Sequence, residues 1–143
     1  MSEASAAPWP RRFLILACLF GATGVALAAI GAHALADILI GKAALRFDTA
    51  LRMHLIHAPA LLALAASAPL ASSRWCLAAC SLMSLGTLVF CGGLYLAAVG
   101  TSTALLPIVP AGGSALILSW LAAAVGFALG DKSRNMQTTQ PPL

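Results

Sequence analysis

Six polar side chains stand out in an otherwise apolar chain: His33, Asp37, Arg52, His54, His57 and Tyr95. His54 and His57 are three residues apart and would share one face of a helix, while His33 precedes Asp37 by about one helical turn. Two or three imidazoles and a carboxylate are the donor set of a Zn or Fe site, which needs its ligands within about 2.0 to 2.2 Å of one ion. Hydrogen bonding between helices asks less of the geometry and is the expected use, so no metal and no cofactor is assigned. His57 is expected to be the constrained histidine, with His33, the carbonyl freed by Pro59 and the carbonyls around Pro107 to Gly113 as candidate partners. His54, nearer the end of its span, is expected at the water interface. A haem, metal, quinone or lipid ligand held by this cluster is the alternative reading, with Tyr95 and Trp120 as wall residues. A proton relay through His57, Arg52 and Asp48 would normally need an acidic residue deeper in a span, and none occurs. Nucleophile elbow, phosphate loop, metalloprotease helix and redox dithiol are all missing, which argues against an enzyme.

The elements that must position these residues follow from composition. The chain has 143 residues, 61% hydrophobic and only 8% charged, whereas soluble domains carry about a quarter charged residues. Four long apolar blocks separated by short connections leave no room for a soluble domain. The expected fold is an all-α membrane protein: a bundle of four transmembrane helices, with a short interfacial amphipathic helix between helices one and two. The spans are placed at Phe13 to Leu35, Met53 to Leu70, Trp75 to Val99 and Leu105 to Leu129. Residues 1–12 are read as a flexible N-terminal tail, 13–130 as the transmembrane domain and 131–143 as a disordered C-terminal tail. A secretory signal is unsuitable for the first block, because signal cores are about 7 to 15 apolar residues and this run is longer.

Between the first two spans, Ala36 to Arg52 mixes charges with Ile38, Ile40, Leu45 and Phe47, the pattern of a helix lying on the membrane. Asp48 stands four residues before Arg52, an order that favours a helical ion pair and continuity into span two. Pro59 removes a backbone donor inside that span, and Pro107 and Pro110 loosen or kink the start of span four. Small residues form two stripes suited to close helix packing: Gly21, Gly24, Ala28 and Gly31 on span one, and Ala122, Gly126 and Gly130 on span four, with Gly112 and Gly113 nearer its start. Cys18, Cys76, Cys80 and Cys91 lie within apolar blocks and are expected as reduced packing residues. Ser81, Ser84, Ser114 and Ser119 are expected to bond a backbone carbonyl one turn back.

Eight Lys and Arg against four acids give a net charge of +4, but the basic residues flank the spans and form no face for nucleic acid. Arg11, Arg12, Arg74, Lys132 and Arg134 fall on one side, against Lys42, Arg46 and Arg52 on the other. The larger set is expected in the cytoplasm, with both termini. The expected partners are the lipid bilayer and, through the glycine stripes, a second copy or a larger membrane complex.

Three stretches in order carry a family resemblance: Gly31-Ala32-His33-Ala34-Leu35; Phe47-Asp48-Thr49-Ala50-Leu51-Arg52 leading into His57-Ala58; and Phe90-Cys91-Gly92-Gly93-Leu94-Tyr95-Leu96 followed by Pro110-Ala111-Gly112-Gly113 and Trp120. Together they resemble the domain-of-unknown-function family 423, also called the YgdD or transmembrane protein 256 family. The resemblance implies a four-helix protein of the bacterial inner membrane and no established activity. Departures from the pattern include Ile56, Pro59, Gly93 and Ser119. The resulting expectation is a non-enzymatic multi-pass protein that packs against itself or within a membrane assembly.

Overall fold

A computed structural model describes residues 9–68 and 73–138 of the chain; the expected turn around Pro69 and the outermost parts of both tails lie outside the described residues. Four α-helices make up the fold: α1 Trp9–His33, α2 Lys42–Ala66, α3 Ser73–Ala98 and α4 Val109–Thr138. Each contains a stretch long and apolar enough to cross a membrane. At 1.5 Å per residue, the 25 residues of α1 or α2 extend about 37 Å, more than the roughly 30 Å of a hydrocarbon core. Large apolar side chains such as Leu19, Val25, Ile56, Leu88, Ile117 and Leu121 stand exposed, as a surface solvated by lipid requires.

The helix boundaries differ from the expected spans for identifiable reasons. Pro10 lies in the first turn of α1, where a missing backbone donor costs nothing, so the helix begins at Trp9 and carries Arg11 and Arg12 on it. No separate interfacial helix lies between α1 and α2. Residues 34–38 form turns, and Gly41, at φ 55°, ends them with a left-handed conformation that a side chain would strain. From Lys42 the charged stretch is already the first part of α2, tied along its surface by the Asp48–Arg52 ion pair. Pro107 sits in turns outside α4, and Pro110 in the helix's first turn, so both prolines are accommodated at its start rather than inside it. Gly100, at φ 75°, closes α3, and the Thr101 amide reaches back to the Leu96 carbonyl at 3.1 Å. As backbone, α4 continues past the apolar run that ends near Gly130.

The helices pack in chain order, α1 on α2, α2 on α3 and α3 on α4, while α1 only brushes α3. Neighbours are antiparallel: Gly24 meets Leu55 and Gly31 meets Phe47 across α1 and α2, while Gly112 meets Phe90 and Gly126 meets Trp75 across α4 and α3. Both described ends of the chain therefore lie at one end of the molecule. The densest core lies between α2, α3 and α4, around Leu61, Cys76, Cys80, Met83 and Leu116. Cys76, Cys80 and Cys91 are buried free thiols, whereas Cys18 is exposed on the edge helix α1. Ser84, Ser114 and Ser119 donate to the carbonyls of Cys80, Pro110 and Leu116 at 2.8, 3.1 and 2.7 Å, the backbone pairing expected of hydroxyls in a span.

Most of the small-residue stripes are consumed inside the molecule. A Cβ at Gly112 would stand 2.6 Å from the Phe90 amide nitrogen, one at Gly86 2.9 Å from the Gly112 carbonyl oxygen, and one at Gly126 3.2 Å from Trp75 Cβ. Gly113 rests against the Phe90 ring, and Ala122 and Gly130 are buried. Gly21 departs from the expected stripe, since a Cβ there would meet nothing within 4 Å. With α1 at the edge of the array, only one flank of its stripe faces α2.

Candidate functional site

The buried stripe of α2 includes Phe47, Ala50, His54, His57, Leu61 and Leu64, spaced alternately by three and four residues. That is the spacing of a helix face turned to a partner helix, and it carries both histidines inward. Three residues rotate about 300° around a helix, so the two rings diverge by about 60° and meet different neighbours.

His57, 4% exposed, turns toward α4. Its Nδ1 lies 2.7 Å from the Met53 carbonyl oxygen, and the Trp120 indole Nε1 donates to its Nε2 at 3.3 Å. A carbonyl can only accept and an indole N–H can only donate, which fixes the proton on Nδ1. Both ring nitrogens are thereby satisfied. The expected partners of His57 are replaced: His33 is too far along the chain end, and the Pro107 to Gly113 segment packs on α3 instead.

His54 turns the other way, between α1 and α3, and is 7% exposed. It is two residues, about 3 Å of helix rise, from the exposed Arg52. Its burial comes from the face it occupies, not from depth along the helix. Phe20 of α1 packs edge-on at 5.6 Å between ring centroids, and Tyr95 of α3 lies at 6.1 Å and packs in turn on Phe47 at 5.1 Å. The Tyr95 hydroxyl is 3.4 Å from His54 Nδ1, and Thr23 Oγ1 is 3.5 Å from Nε2. Thr23 directs its one hydrogen to the nearer Leu19 carbonyl at 2.8 Å, with Phe20 O at 3.1 Å. Its oxygen can then accept from His54 Nε2–H, with the Phe20 carbonyl a further partner of the ring, and in that tautomer His54 Nδ1 accepts from Tyr95 O–H. The result is a loose polar network that links Tyr95, His54 and Thr23 to the α1 backbone at Leu19 and Phe20.

The six candidate residues do not form one cluster. His54 and Tyr95 are brought together, His57 is separated from them on the α4 side, His33 and Asp37 are exposed at the end of α1 and in the following turns, and Arg52 is exposed beside Asp48. Among the described residues, no group of three His, Cys, Asp or Glu converges as a metal site would require. Phe20 and Thr23 were not among the expected site residues. Their signal was available in part, because Ala17, Phe20 and Gly24 follow the three-four spacing of a packed face.

Because α1 barely touches α3, a groove of about 340 Å³ remains between them, floored by His54. Leu16, Leu19 and Leu27 form one wall; Leu88, Gly92 and Tyr95 form the other. A second groove, about 320 Å³, runs between α2 and α4 over Met83, with Trp120 and Phe127 along its side. The first is the one whose apolar walls converge on a buried polar network, and its size lies at the lower end of the roughly 300 to 1,000 Å³ typical of small-ligand sites.

Similarity to other proteins extends along most of the chain. A family model described as "Protein of unknown function (DUF423)" matches residues 27–113. The chain is 36% identical over 115 residues to a UPF0382 membrane protein of Haemophilus influenzae, covering 80% of this chain and 92% of that one. It is 33% identical over 110 residues to the UPF0382 membrane protein YwdK of Bacillus subtilis, covering 76% and 89%. With the UPF0382 inner membrane protein YgdD of Escherichia coli K12 it shares 31% identity over 116 residues, covering 81% and 88%. No solved structure matches the chain. With four membrane-length helices and these relatives along most of its length, the chain belongs to the DUF423 family of membrane proteins.

Proposed function

We propose that this chain is a non-enzymatic inner-membrane protein that holds an apolar-chain lipid in the groove between α1 and α3. One observation carries the reading: a buried imidazole, paired to Tyr95 and Thr23, floors a groove whose remaining walls are almost wholly apolar. An ionisable side chain that faces the interior of a membrane bundle and is enclosed there is a functional-site candidate. The inner-membrane location is supported by the name of the Escherichia coli relative. Orientation with both termini in the cytoplasm is supported by Arg11, Arg12, Arg74, Lys132 and Arg134 at one end against Lys42, Arg46 and Arg52 at the other.

Gly92 lines the groove, yet a Cβ there would meet no atom within 4 Å. Gly92→Leu therefore fills the groove without crowding the protein, and Gly21→Leu, equally free of neighbours, is its control. The wild type and Gly21→Leu proteins, purified in mild detergent, are expected to retain a stoichiometric lipid in mass spectra that Gly92→Leu lacks. Equal lipid content in all three, or none in the wild type, overturns the reading.

A second reading, an accessory component packing against its own copy or within a larger membrane complex, draws on Gly21, a stripe glycine with open space around it. Gly21→Cys is expected to crosslink to a partner in native membranes if this face is an interface, and to remain monomeric if it faces lipid.

A further inference from the structure

Independently of the lipid groove, we propose that the outward face of α1 and α2 docks a second copy of this chain through Asp48 and Arg52, which names a partner for the packing reading above. The side chains of this ion pair are 50% and 73% exposed on α2. Nine residues, about 900° or two and a half turns, separate Arg52 from the fully buried Leu61, so Arg52 points away from the core. The contacts of Gly31 with Phe47 and of Gly24 with Leu55 set Arg52 level with about Ala26 of α1, 14 residues above Arg12. That is about 21 Å of helix rise. A hydrocarbon core of about 30 Å that begins at Arg12 therefore extends about 9 Å beyond the Arg52 backbone, and it reaches Asp48 as well.

Charges at that depth are costly against lipid tails, and membrane proteins turn them inward or cover them. Here the pair faces outward, and lipid headgroups lie beyond the hydrocarbon edge. A second copy fits by charge. Copies in one membrane share one orientation, so a two-fold axis along the bilayer normal brings equivalent residues to equal depth. Arg52 already reaches one turn up α2 to Asp48, and the partner's Asp48 then stands at the same height. Two guanidinium groups and two carboxylates alternate there, and each guanidinium has donors enough for both carboxylates. The same stripe of α2 continues to exposed Pro59, about 20° round from Arg52, which brings no amide hydrogen to the Leu55 carbonyl. Beside it on α1, Gly21 has open space around it, on the flank about 200° round from Thr23 and so away from the α1–α3 groove. That glycine lets a neighbouring helix approach closely next to the charges.

The test co-expresses two differently tagged copies of the full chain and reads their co-purification from native membranes. Asp48→Arg leaves two cations on the face and Arg52→Asp two anions, and each is expected to lose self-pairing about 10-fold or more through like-charge repulsion. Neither variant can rebuild the ion pair within its own chain. Co-expressed with each other, they are expected to recover wild-type co-purification, because each charge then meets its opposite across the interface. Pro59→Cys in a Cys18→Ser background leaves both charges in place and the remaining cysteines buried. It is expected to form an oxidative dimer, while Ile117→Cys, exposed on α4, forms none; this measurement decides the matter if a charge variant fails to insert. A monomeric Pro59→Cys chain, charge variants that self-pair as the wild type does, or inserted variants that stay apart when mixed overturn the proposal. Gly21→Cys crosslinked to a different protein, with Pro59→Cys monomeric, overturns the second copy and leaves the packing reading standing with another partner.

Discussion

A neutral imidazole in hydrocarbon has two nitrogens to satisfy, and His57 and His54 do so with different economy. His57 bonds at 2.7 and 3.3 Å, whereas both His54 contacts, at 3.4 and 3.5 Å, lie beyond the usual range of strong hydrogen bonds. His57→Leu is therefore expected to lower stability more than His54→Leu, by about 1 to 3 kcal/mol, because it leaves the Trp120 indole N–H without its partner. A thermal unfolding series in one detergent measures this ranking, and the reverse order would contradict the assigned bonds. Trp120→Phe combined with His57→Leu removes donor and acceptor together. The double variant is expected to lose about 0.5 to 1.5 kcal/mol less than the sum of the singles; strict additivity would mean that the two rings touch without bonding. The inward face of His54 was legible in the alternating spacing of Phe47, Ala50, His54, His57, Leu61 and Leu64. Of its partners Tyr95 was in the expected cluster, whereas Phe20 and Thr23 were not, because they come from α1, whose rotation no local pattern reveals.

Along the elements, the closest backbone approach is where α3 and α4 cross at Gly86 and Gly112. A methyl group at Gly112 would meet the Phe90 backbone, which cannot swing aside as a side chain can. Gly112→Ala is expected to destabilise by about 1 to 3 kcal/mol through overpacking, while Gly21→Ala, with open space around it, is expected to be neutral or slightly stabilising. Thermal aggregation of the two variants side by side checks the contrast; equal melting would show that the crossing is looser than its geometry. Within α2, Asp48→Asn removes an exposed ion pair and is expected to cost less than about 0.5 kcal/mol. The helix continues through this stretch because the apolar face from Phe47 onward is packed, and the ion pair only lines its surface. The expected interfacial helix failed at its first residues for a local reason: the turns that end at Gly41 consume the segment before a helix can begin.

At the scale of the molecule, antiparallel packing in chain order places both described ends on one side, and the charge bias then sets the side. A fluorescent cytoplasmic reporter fused after Leu143 is expected to be bright, and alkaline phosphatase at the same point inactive. The opposite pair of results would invert the orientation while leaving the helix array intact. The open arrangement also decides where ligands fit. Had α1 closed onto α4, the edge helices would have sealed each other; instead each rests on one main neighbour and leaves a groove beside it.

Apolar block length, the placement of Lys and Arg, and the order of the family stretches were enough to determine the number of spans, their sequence and the family, because bilayer thickness acts on each helix separately. Leu105 to Ile108 illustrates the limit: it read as the start of a span, but it forms turns that hold it and Pro107 outside α4. Which small residues face a neighbour, which histidine meets which helix, and the separation of His33 and Asp37 from His54 depended on the tertiary structure. Those outcomes are set by how four helices rotate and cross, a choice made by mutual packing of distant residues rather than by the periodicity within any one of them.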